Sequence, residues 1–295
     1  MGKVRFAEQS VFPWGEHIFP VEKYQRCVDH INTVFPSLEI THPQPLPLGA
    51  VERVHSATYL ERIKGYFKNP EAGVWEFEAP CSVEVYRGVL GAAAGTLSAC
   101  RDALKQGWGF HIGGGFHHAF PDHGEGFCIL NDVAISLAQL LHEGAVSTAA
   151  VLDLDVHQGN GTAVCFAQEE RVHTISLHQE NNYPAWKPPS DLDIGLPDGM
   201  EDSAYLEALG KALTWLEKKP RPDLVLFLAG ADPFMKDQLG GLALSKKGLR
   251  ARDDSVGAWC QQRGIPLSVV LAGGYAKETG DVVEIHLSTL ESVSL

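Results

Sequence analysis

The strongest constraint on the fold is a short apolar run that ends in regularly spaced polar residues. Residues 148–162 read T-A-A-V-L-D-L-D-V-H-Q-G-N-G-T. The apolar part is typical of a strand covered on both faces, as in a parallel sheet. Asp153, Asp155 and His157 then occupy every second position, so an extended backbone points their side chains to one side. Because a buried carboxylate is costly unless it is paired or binds a metal, the pattern indicates a site. The alternative is that the aspartates cap a following helix and His157 is a loop residue.

Similar apolar runs alternate with segments of helical pattern along the chain. Strands are predicted at 108–112, 149–154, 172–177, 223–229 and 267–272, and helices at 21–35, 56–66, 82–104, 131–143, 203–218 and 245–263. Apart from the first helix, residues 1–44 have a mixed pattern, and 179–197 is predicted to be a loop. Strands that alternate with helices predict an α/β fold with a mostly parallel sheet and helices on both faces. No change in composition marks a linker, so residues 1–295 are expected to form one domain.

Composition narrows the class of protein. The 295 residues are 44% apolar and 21% charged, as in soluble globular proteins, and they contain no apolar run that could span a membrane. The formal charge of −13 disfavours nucleic acid as a direct partner and is compatible with a cationic substrate. The scattered cysteines form no C-x-x-C pair, and Met1 to Arg5 lack the apolar core of a secretory signal. A cytoplasmic location is the resulting expectation. The oligomeric state is left open.

Polar residues and glycines follow four of the predicted strands. After 108–112 come three glycines and Phe116-His117-His118. After 149–154 come Asp155 and His157, after 223–229 comes Asp232, and after 267–272 come Gly273-Gly274-Tyr275. Ligands of parallel α/β sheets bind beyond the carboxyl ends of the strands, so these groups are expected to meet.

The chemistry of these groups is that of a metal-assisted amide hydrolase. Asp155, His157 and Asp232 make a three-ligand N/O set with an open position, which is typical of catalytic zinc. A histidine pair, His117 and His118, supplies an acid and a base. The Tyr275 hydroxyl can donate a hydrogen bond to a developing oxyanion.

Each of these residues also has a structural interpretation when taken alone. His117-His118 could be a hydrogen-bonded loop pair, Asp232 before Pro233 a turn, and Tyr275 a core or rim aromatic. His111, inside an apolar strand, is expected to be a hydrogen-bonded core histidine. Only the occurrence of all these groups at strand ends favours a catalytic site.

Six segments carry these residues or flank them: G-G-G-F-H-H-A at 113–119, G-E-G-F-C-I-L-N-D-V-A-I at 124–135, V-L-D-L-D-V-H-Q-G-N-G-T at 151–162, A-G-A-D at 229–232, D-Q-L-G-G-L-A-L-S at 237–245 and L-A-G-G-Y at 271–275. In these segments the sequence resembles the zinc-dependent histone deacetylase superfamily, which includes acetylpolyamine amidohydrolases. The segments span most of the chain in the family's order.

The resemblance implies a single-domain, three-layer arginase/deacetylase-like fold with a central sheet of about eight strands. It also implies one zinc ion on Asp155, His157 and Asp232, an acid/base pair in His117 and His118, and a carbonyl-polarising Tyr275. One metal is expected because Phe234 stands where two-metal relatives carry a second carboxylate.

The resemblance further implies a substrate tunnel and a structural potassium ion. The tunnel is assigned to Gly126, Phe127, Cys128 and Tyr183, with Gly273 and Gly274 as further substrate-binding residues. The potassium site is assigned to the side chains of Asp153 and Ser176 and to backbone oxygens that include that of Leu177.

Two details resemble the class IV branch and its bacterial relatives more than class I. Gln158 stands where many deacetylases have a second histidine, and residues 237–242 read D-Q-L-G-G-L. Some members of that branch prefer long acyl chains, so acyl length stays open.

Asn160 stands where class I enzymes place an aspartate behind the second histidine. Asp153 behind His117 favours an imidazolium, whereas the neutral Asn160 behind His118 does not. His118 is therefore predicted to be the base and His117 to carry the charge.

The predicted function is hydrolysis of acyl groups, acetyl or longer, from the ε-amine of lysine in a peptide or protein. One alternative is a deacetylase of polyamines or other small amides, and another is a non-catalytic acyl-lysine-binding protein. A general esterase is disfavoured because the chain has no G-x-S-x-G motif.

Overall fold

A parallel sheet organises the chain in a computed structural model that describes residues 3–12, 14–15 and 17–294. Its strands are β1 (Lys3–Arg5), β2 (Glu39–Thr41), β3 (Trp108–His111), β4 (Ala149–Asp153), β5 (Val172–Gln179), β6 (Leu192–Leu196), β7 (Leu224–Leu228) and β8 (Leu267–Val270). Met1 and Gly2 lie outside the described residues, so the expectation drawn from the N-terminal sequence stays a prediction. Pro13, Glu16 and Leu295 also lie outside them.

The strands form one eight-stranded sheet in the order β2-β1-β3-β8-β7-β4-β5-β6, and every pair in it is parallel. The predicted α/β class with about eight strands is confirmed, and the sheet is fully rather than mostly parallel within the described part of the chain. Since β3, β8, β7 and β4 are neighbours in a parallel sheet, the loops that follow them lie side by side at the carboxyl ends of the strands.

Helices cover the sheet. They are α1 (Glu22–Val34), α2 (Ala57–Tyr66), α3 (Val74–Phe77), α4 (Val83–Gln106), α5 (Asp132–His142), α6 (Asn160–Phe166), α7 (Asp202–Leu216), α8 (Lys246–Arg263) and α9 (Thr279–Val293). Successive residues of the central strands pack into different clusters of buried side chains, such as Val151 and Leu226 in one and Leu152 and Phe227 in the other. Both faces of the sheet are therefore covered, and each fully buried Leu or Phe contributes about 1.5–3 kcal/mol.

Local signals define several helix ends. Ser82 caps α4 by accepting a hydrogen bond from Val85 N, and Ser245 caps α8 in the same way from Gly248 N. These helices end at Gly107 and Gly264, whose φ angles of 93° and 58° lie in the left-handed region.

The structure corrects the sequence-based element assignment at three places. The predicted loop at 179–197 contains β6, an edge strand whose short L-D-I-G-L sequence includes two residues that disfavour strands. The mixed stretch 1–44 contains β1 and β2, each only three residues long and each with at least one charged side chain. Of the two, β2 is the edge strand, where short strands with charged side chains are common. Helices α3, α6 and α9 have no counterpart among the predicted elements.

Within the described residues, none of the helices has the length and hydropathy needed to cross a membrane.

Candidate active site

The candidate metal ligands meet at the carboxyl ends of two central strands. Asp155 and His157 follow β4, and Asp232 follows β7, the strand paired with β4. The Nδ1 atom of His157 lies 3.0 Å from Asp155 Oδ1 and 3.4 Å from Asp232 Oδ2. All three side chains are buried, and one ligand atom from each lies within 4.8 Å of the others. The structure thus brings together the three residues assigned to the metal.

Backbone N–H groups hold both oxygens of Asp155, Oδ1 through His157 N at 3.0 Å, and one oxygen of Asp232. Gly273 N donates to Asp155 Oδ2 over 2.7 Å, and Val156 N donates to Asp232 Oδ1 over 2.9 Å. Asp232 Oδ2 is buried without a hydrogen-bond partner among the described residues. An unpartnered buried carboxylate oxygen that faces an imidazole nitrogen and a second carboxylate fits a bound cation.

Charge in the cluster also favours a metal. Burial and the neighbouring Asp155 carboxylate raise the pKa of Asp232 to about 7. Burial lowers the pKa of His157, but Asp155 and Asp232 outweigh burial and raise it to about 10. Tetrahedral zinc with bonds of about 2.0–2.1 Å would place its ligand atoms about 3.3 Å apart, which is close to the observed spacing. A divalent cation would replace the proton that these groups otherwise share.

A pair of histidines lies beside the cluster. His117 Nδ1 is 2.7 Å from Asp153 Oδ2, and His118 Nδ1 is 2.7 Å from Asn160 Oδ1, while the two Nε2 atoms are 3.0 Å apart. Burial lowers the pKa of His117, but Asp153 and Asp155 outweigh burial and raise it to about 9. Burial and the neighbouring His117 and His157 hold the pKa of His118 well below its usual value. These directions agree with a charged His117 and a neutral His118.

Residues without a predicted role fix the loop that carries this pair. Asp132 accepts hydrogen bonds from Gly115 N and Phe116 N, and Asn131 Nδ2 donates to Ala119 O over 3.1 Å. Asn131 also caps α5. The N-D dipeptide at the start of an apolar helix can be recognised in the sequence as a capping signal. Its hydrogen bonds to the histidine loop could not be predicted, because they depend on how α5 packs.

Tyr275 lies at the same site, and its backbone is anchored by a loop that follows β7. Asp237 Oδ2 accepts from Tyr275 N over 2.6 Å, and Gln238 Nε2 donates to Tyr275 O over 2.6 Å. Burial and the carboxylates of Asp155 and Asp232 raise the pKa of the Tyr275 hydroxyl well above its usual value, so it stays a hydrogen-bond donor.

An entrance cavity of about 190 Å³ leads to the cluster, and Gly126, Phe127, Tyr183 and Tyr275 line it. Gly126 and Phe127 have φ angles of 54° and 67°. A Cβ atom on Gly126 would lie 2.6 Å from the His118 ring and 3.0 Å from that of Tyr183, so only glycine fits there.

The foot of the tunnel is much smaller. A cavity of about 20 Å³ is lined by Cys128, Gly273 and His118 with Phe19 and Phe116. That volume is close to the 10–15 Å³ that one water molecule needs. Gly274 faces elsewhere, since a Cβ atom there would meet Val282 and Ala231.

Several residues at the site had no role predicted for them from the sequence. Glu78, which is exposed, and Leu239 line the entrance, and Phe19 lies at the foot. Lys23 is fully buried on α1 and donates from Nζ to Ala272 O over 2.9 Å; burial lowers its pKa to about 8. Glu78, Phe19 and Lys23 come from outside the loops that carry the predicted site residues, and only tertiary packing brings them here. Leu239 lies in the loop after β7, together with Asp232.

The other predicted positions also have defined places. Asp153 and Ser176 are paired in register on β4 and β5, next to Leu177. Ser176 Oγ is 2.9 Å from His178 Nδ1, and both Asp153 oxygens accept hydrogen bonds, from His117 and Asp155 N. His111 is fully buried and hydrogen-bonds to Thr96, as predicted for a core histidine.

Comparisons with known proteins agree with this geometry. A family model described as "Histone deacetylase domain" matches residues 17–290. An uncharacterized protein of Picosynechococcus sp. is 38% identical over 92% of this chain and 91% of its own length. Histone deacetylase 2 of Arabidopsis thaliana is 31% identical over 68% of this chain, and the match spans 53% of that protein.

A solved structure shares the fold. The acetylpolyamine aminohydrolase of Burkholderia pseudomallei superposes with a TM-score of 0.84 at 20% identity and covers 100% of this chain and 99% of its own. The domain model covers almost the whole chain, and the strand order and site geometry are consistent with it. The chain therefore belongs to the histone deacetylase family of amidohydrolases.

Proposed function

We propose that the protein is a zinc-dependent deacylase that hydrolyses the amide of acylated lysine side chains. The observation that carries the proposal is the buried Asp155–His157–Asp232 cluster, which lies beside a histidine pair below a narrow aromatic tunnel. The family supports amide hydrolysis, and the ligand set and its spacing favour zinc. When bound, zinc would supply Lewis acidity toward the acyl carbonyl and the attacking water.

The side chains around the cluster have distinct roles in the proposed reaction. Tyr275, whose hydroxyl keeps its proton, donates a hydrogen bond to the carbonyl oxygen as negative charge develops there. His118 Nε2 removes a proton from the attacking water. His117, charged and held by Asp153, orients the site. A histidine then protonates the leaving amine, so the products are a free amine and a carboxylate.

We propose that acetyl is preferred over longer acyl groups. The acyl end would lie in the cavity at the foot, which has room for about 20 Å³ between Phe19 and Phe116. An octanoyl chain would require these buried aromatic side chains to move, at a cost in packing.

A second candidate substrate class is acylated polyamines. Glu78 places an exposed carboxylate at the entrance, where it could attract the second amine of a polyamine. The same carboxylate could accept hydrogen bonds from the backbone N–H groups of a peptide. We favour lysine because, apart from Asn182, the other entrance side chains are apolar or aromatic, notably Phe127, Leu239 and Tyr275.

A substrate panel tests the proposal. Acetyl-, octanoyl- and myristoyl-lysine peptides would be compared with N-acetylputrescine and N-acetylspermidine, with and without a chelator, alongside zinc quantification. We expect the highest kcat/KM on acetyl-lysine peptides, and loss of activity on chelation that added zinc restores. Higher kcat/KM on the polyamines would establish the second candidate, and a zinc-free, inactive protein would favour the non-catalytic acyl-lysine-binding alternative.

Glu78→Gln separates the two substrate classes further. Removing the charge should raise KM for acetylpolyamines, whereas glutamine can still accept a hydrogen bond from a peptide. Glu170→Gln is a matched control, since Glu170 is exposed just before β5 begins, at the opposite edge of the sheet.

We further propose a structural potassium ion at Asp153, Ser176 and Leu177, supported by the pairing of the first two across β4 and β5. A cytoplasmic location and the lack of a direct nucleic-acid partner remain predictions from the cysteines and the net charge.

A further inference from the structure

Glu125 is a half-buried carboxylate that contacts the site and has no role in the proposed reaction. It lies in the loop that forms one tunnel wall, between Gly124 and Gly126. Its Oε1 accepts a hydrogen bond from Asn160 Nδ2. Burial and the nearby Glu125 carboxylate raise the pKa of Tyr183, which also lines the tunnel.

The contacts with Glu125 and with Gly161 N together determine which way the Asn160 amide faces. An ionised carboxylate can only accept hydrogen bonds, so Asn160 must present its NH₂ group to Glu125. The carbonyl oxygen then points the other way, where it accepts from Gly161 N over 3.0 Å and faces His118 Nδ1 at 2.7 Å.

The orientation of Asn160 in turn determines the tautomer of His118. A carbonyl oxygen at 2.7 Å requires a hydrogen on His118 Nδ1, so the lone pair is left on Nε2. His118 Nε2 lies 3.0 Å from His117 Nε2, on the side of the ring that faces the metal cluster. A flipped amide would donate to His118 Nδ1 instead and place the hydrogen on Nε2, and that tautomer cannot accept a proton at Nε2.

We propose that Glu125 is a positioning residue that acts through Asn160 to keep His118 in the tautomer with a basic Nε2. Its effect on rate rests on the proposed function, whereas the tautomer can be observed without turnover. A partner such as Glu125 is needed to orient the side chain at position 160 because Asn160 is an amide. An aspartate has two equivalent acceptor oxygens and needs no such partner, whereas an amide has a donor end and an acceptor end.

Kinetics of a double-mutant cycle test the proposal. In the zinc-loaded enzyme, Glu125→Ala should lower kcat by about tenfold, which is part of the 10²–10⁴-fold that a general base typically contributes. Glu125→Gln should recover most of that loss, since its amide oxygen accepts the same hydrogen bond. In the Asn160→Asp background, Glu125→Ala should not lower kcat, because an aspartate cannot flip and the Glu125 carboxylate would only repel it.

A merely structural role for Glu125 predicts a different result, in which Glu125→Ala lowers kcat equally with Asn or Asp at position 160. That result would overturn the proposal, as would a kcat within twofold of wild type for Glu125→Ala. Glu170→Ala is the control for removing a glutamate, and thermal unfolding checks that each variant folds.

Nitrogen-15 NMR of histidine-labelled protein supplies a readout that does not depend on activity. The His118 signals, assigned by comparison with His118→Ala, should show a protonated Nδ1 and an unprotonated Nε2 in the wild type. Glu125→Ala should populate the other tautomer, and unchanged His118 signals would contradict the proposal. If the wild type hydrolysed no amide in the panel, the proposed function would fail while this measurement still tested the role of Glu125.

Discussion

Gly273→Ala adds one methyl group where the two candidate metal-binding carboxylates meet. A Cβ atom on Gly273 would lie 1.9 Å from Asp232 Oδ2 and 2.6 Å from Asp155 Oδ2. The first distance is 1.1 Å less than the 3.0 Å below which real Cβ contacts essentially do not occur. Gly273 is not among the glycines with a positive φ, so the substitution tests crowding rather than backbone strain.

The carboxylates have little freedom to avoid the methyl group. Asp232 is fully buried and Val156 N holds its other oxygen, while Gly273 N itself holds Asp155 Oδ2. Metal sites tolerate ligand displacements of about 0.2 Å. Changes to residues that only support the ligands lower metal affinity by about 10–100-fold, so direct displacement should cost at least about 100-fold, or about 2.7 kcal/mol.

A zinc competition titration against a chromophoric chelator measures this loss directly, together with kcat/KM at saturating zinc. Gly210→Ala is the matched control, because a Cβ atom there, in α7, meets nothing within 4 Å. That control should bind zinc normally and gain about 0.5–1 kcal/mol in stability. If folded Gly273→Ala bound zinc within threefold of wild type, the assignment of Asp155 and Asp232 as ligands would be refuted.

Three further predictions follow from the geometry. Tyr275→Phe should lower kcat by about 10²–10³-fold in steady-state kinetics with little change in KM, because the lost hydrogen bond forms fully only in the transition state; a kcat within fivefold of wild type would exclude that role. His118→Ala should lower kcat by about 10²–10⁴-fold. If it retained most activity while His117→Ala lost it, the base would be His117. The third concerns acid stability: burial lowers the pKa of His55 from 6.5 to about 4, and its Nε2 accepts from Asn131 N. Because the unfolded state binds this proton first, His55 should destabilise the fold as pH falls from 6.5 to 4, by about 3 kcal/mol in total. Urea unfolding at pH 7 and 4.5 should therefore show a smaller pH dependence for His55→Gln, and equal pH dependence would contradict the assignment.

The sequence by itself determined the class of fold and the identity of the groups at the strand ends. Both are local properties. An apolar run of five or six residues predicts a buried strand, and a polar residue directly after it must lie at the edge of the sheet, as Asp155, His157 and Asp232 do. The short strands β1, β2 and β6 have no such run, and they were the strands that local pattern did not identify.

The tertiary structure alone decided the order in which these groups lie along the sheet. β8 and β7 lie between β3 and β4 in the sheet, an order that no local pattern encodes, and it brings Tyr275 and Asp232 between the histidine pair and Asp155 in strand order. The same is true of Glu125, whose contact with Asn160 spans 35 residues of sequence. Strand order and such contacts result from packing the whole core at once. The physical reason is that a segment's own residues determine whether it forms a buried strand. Which strands become its neighbours depends on the shape and hydrogen bonding of segments far away in the sequence.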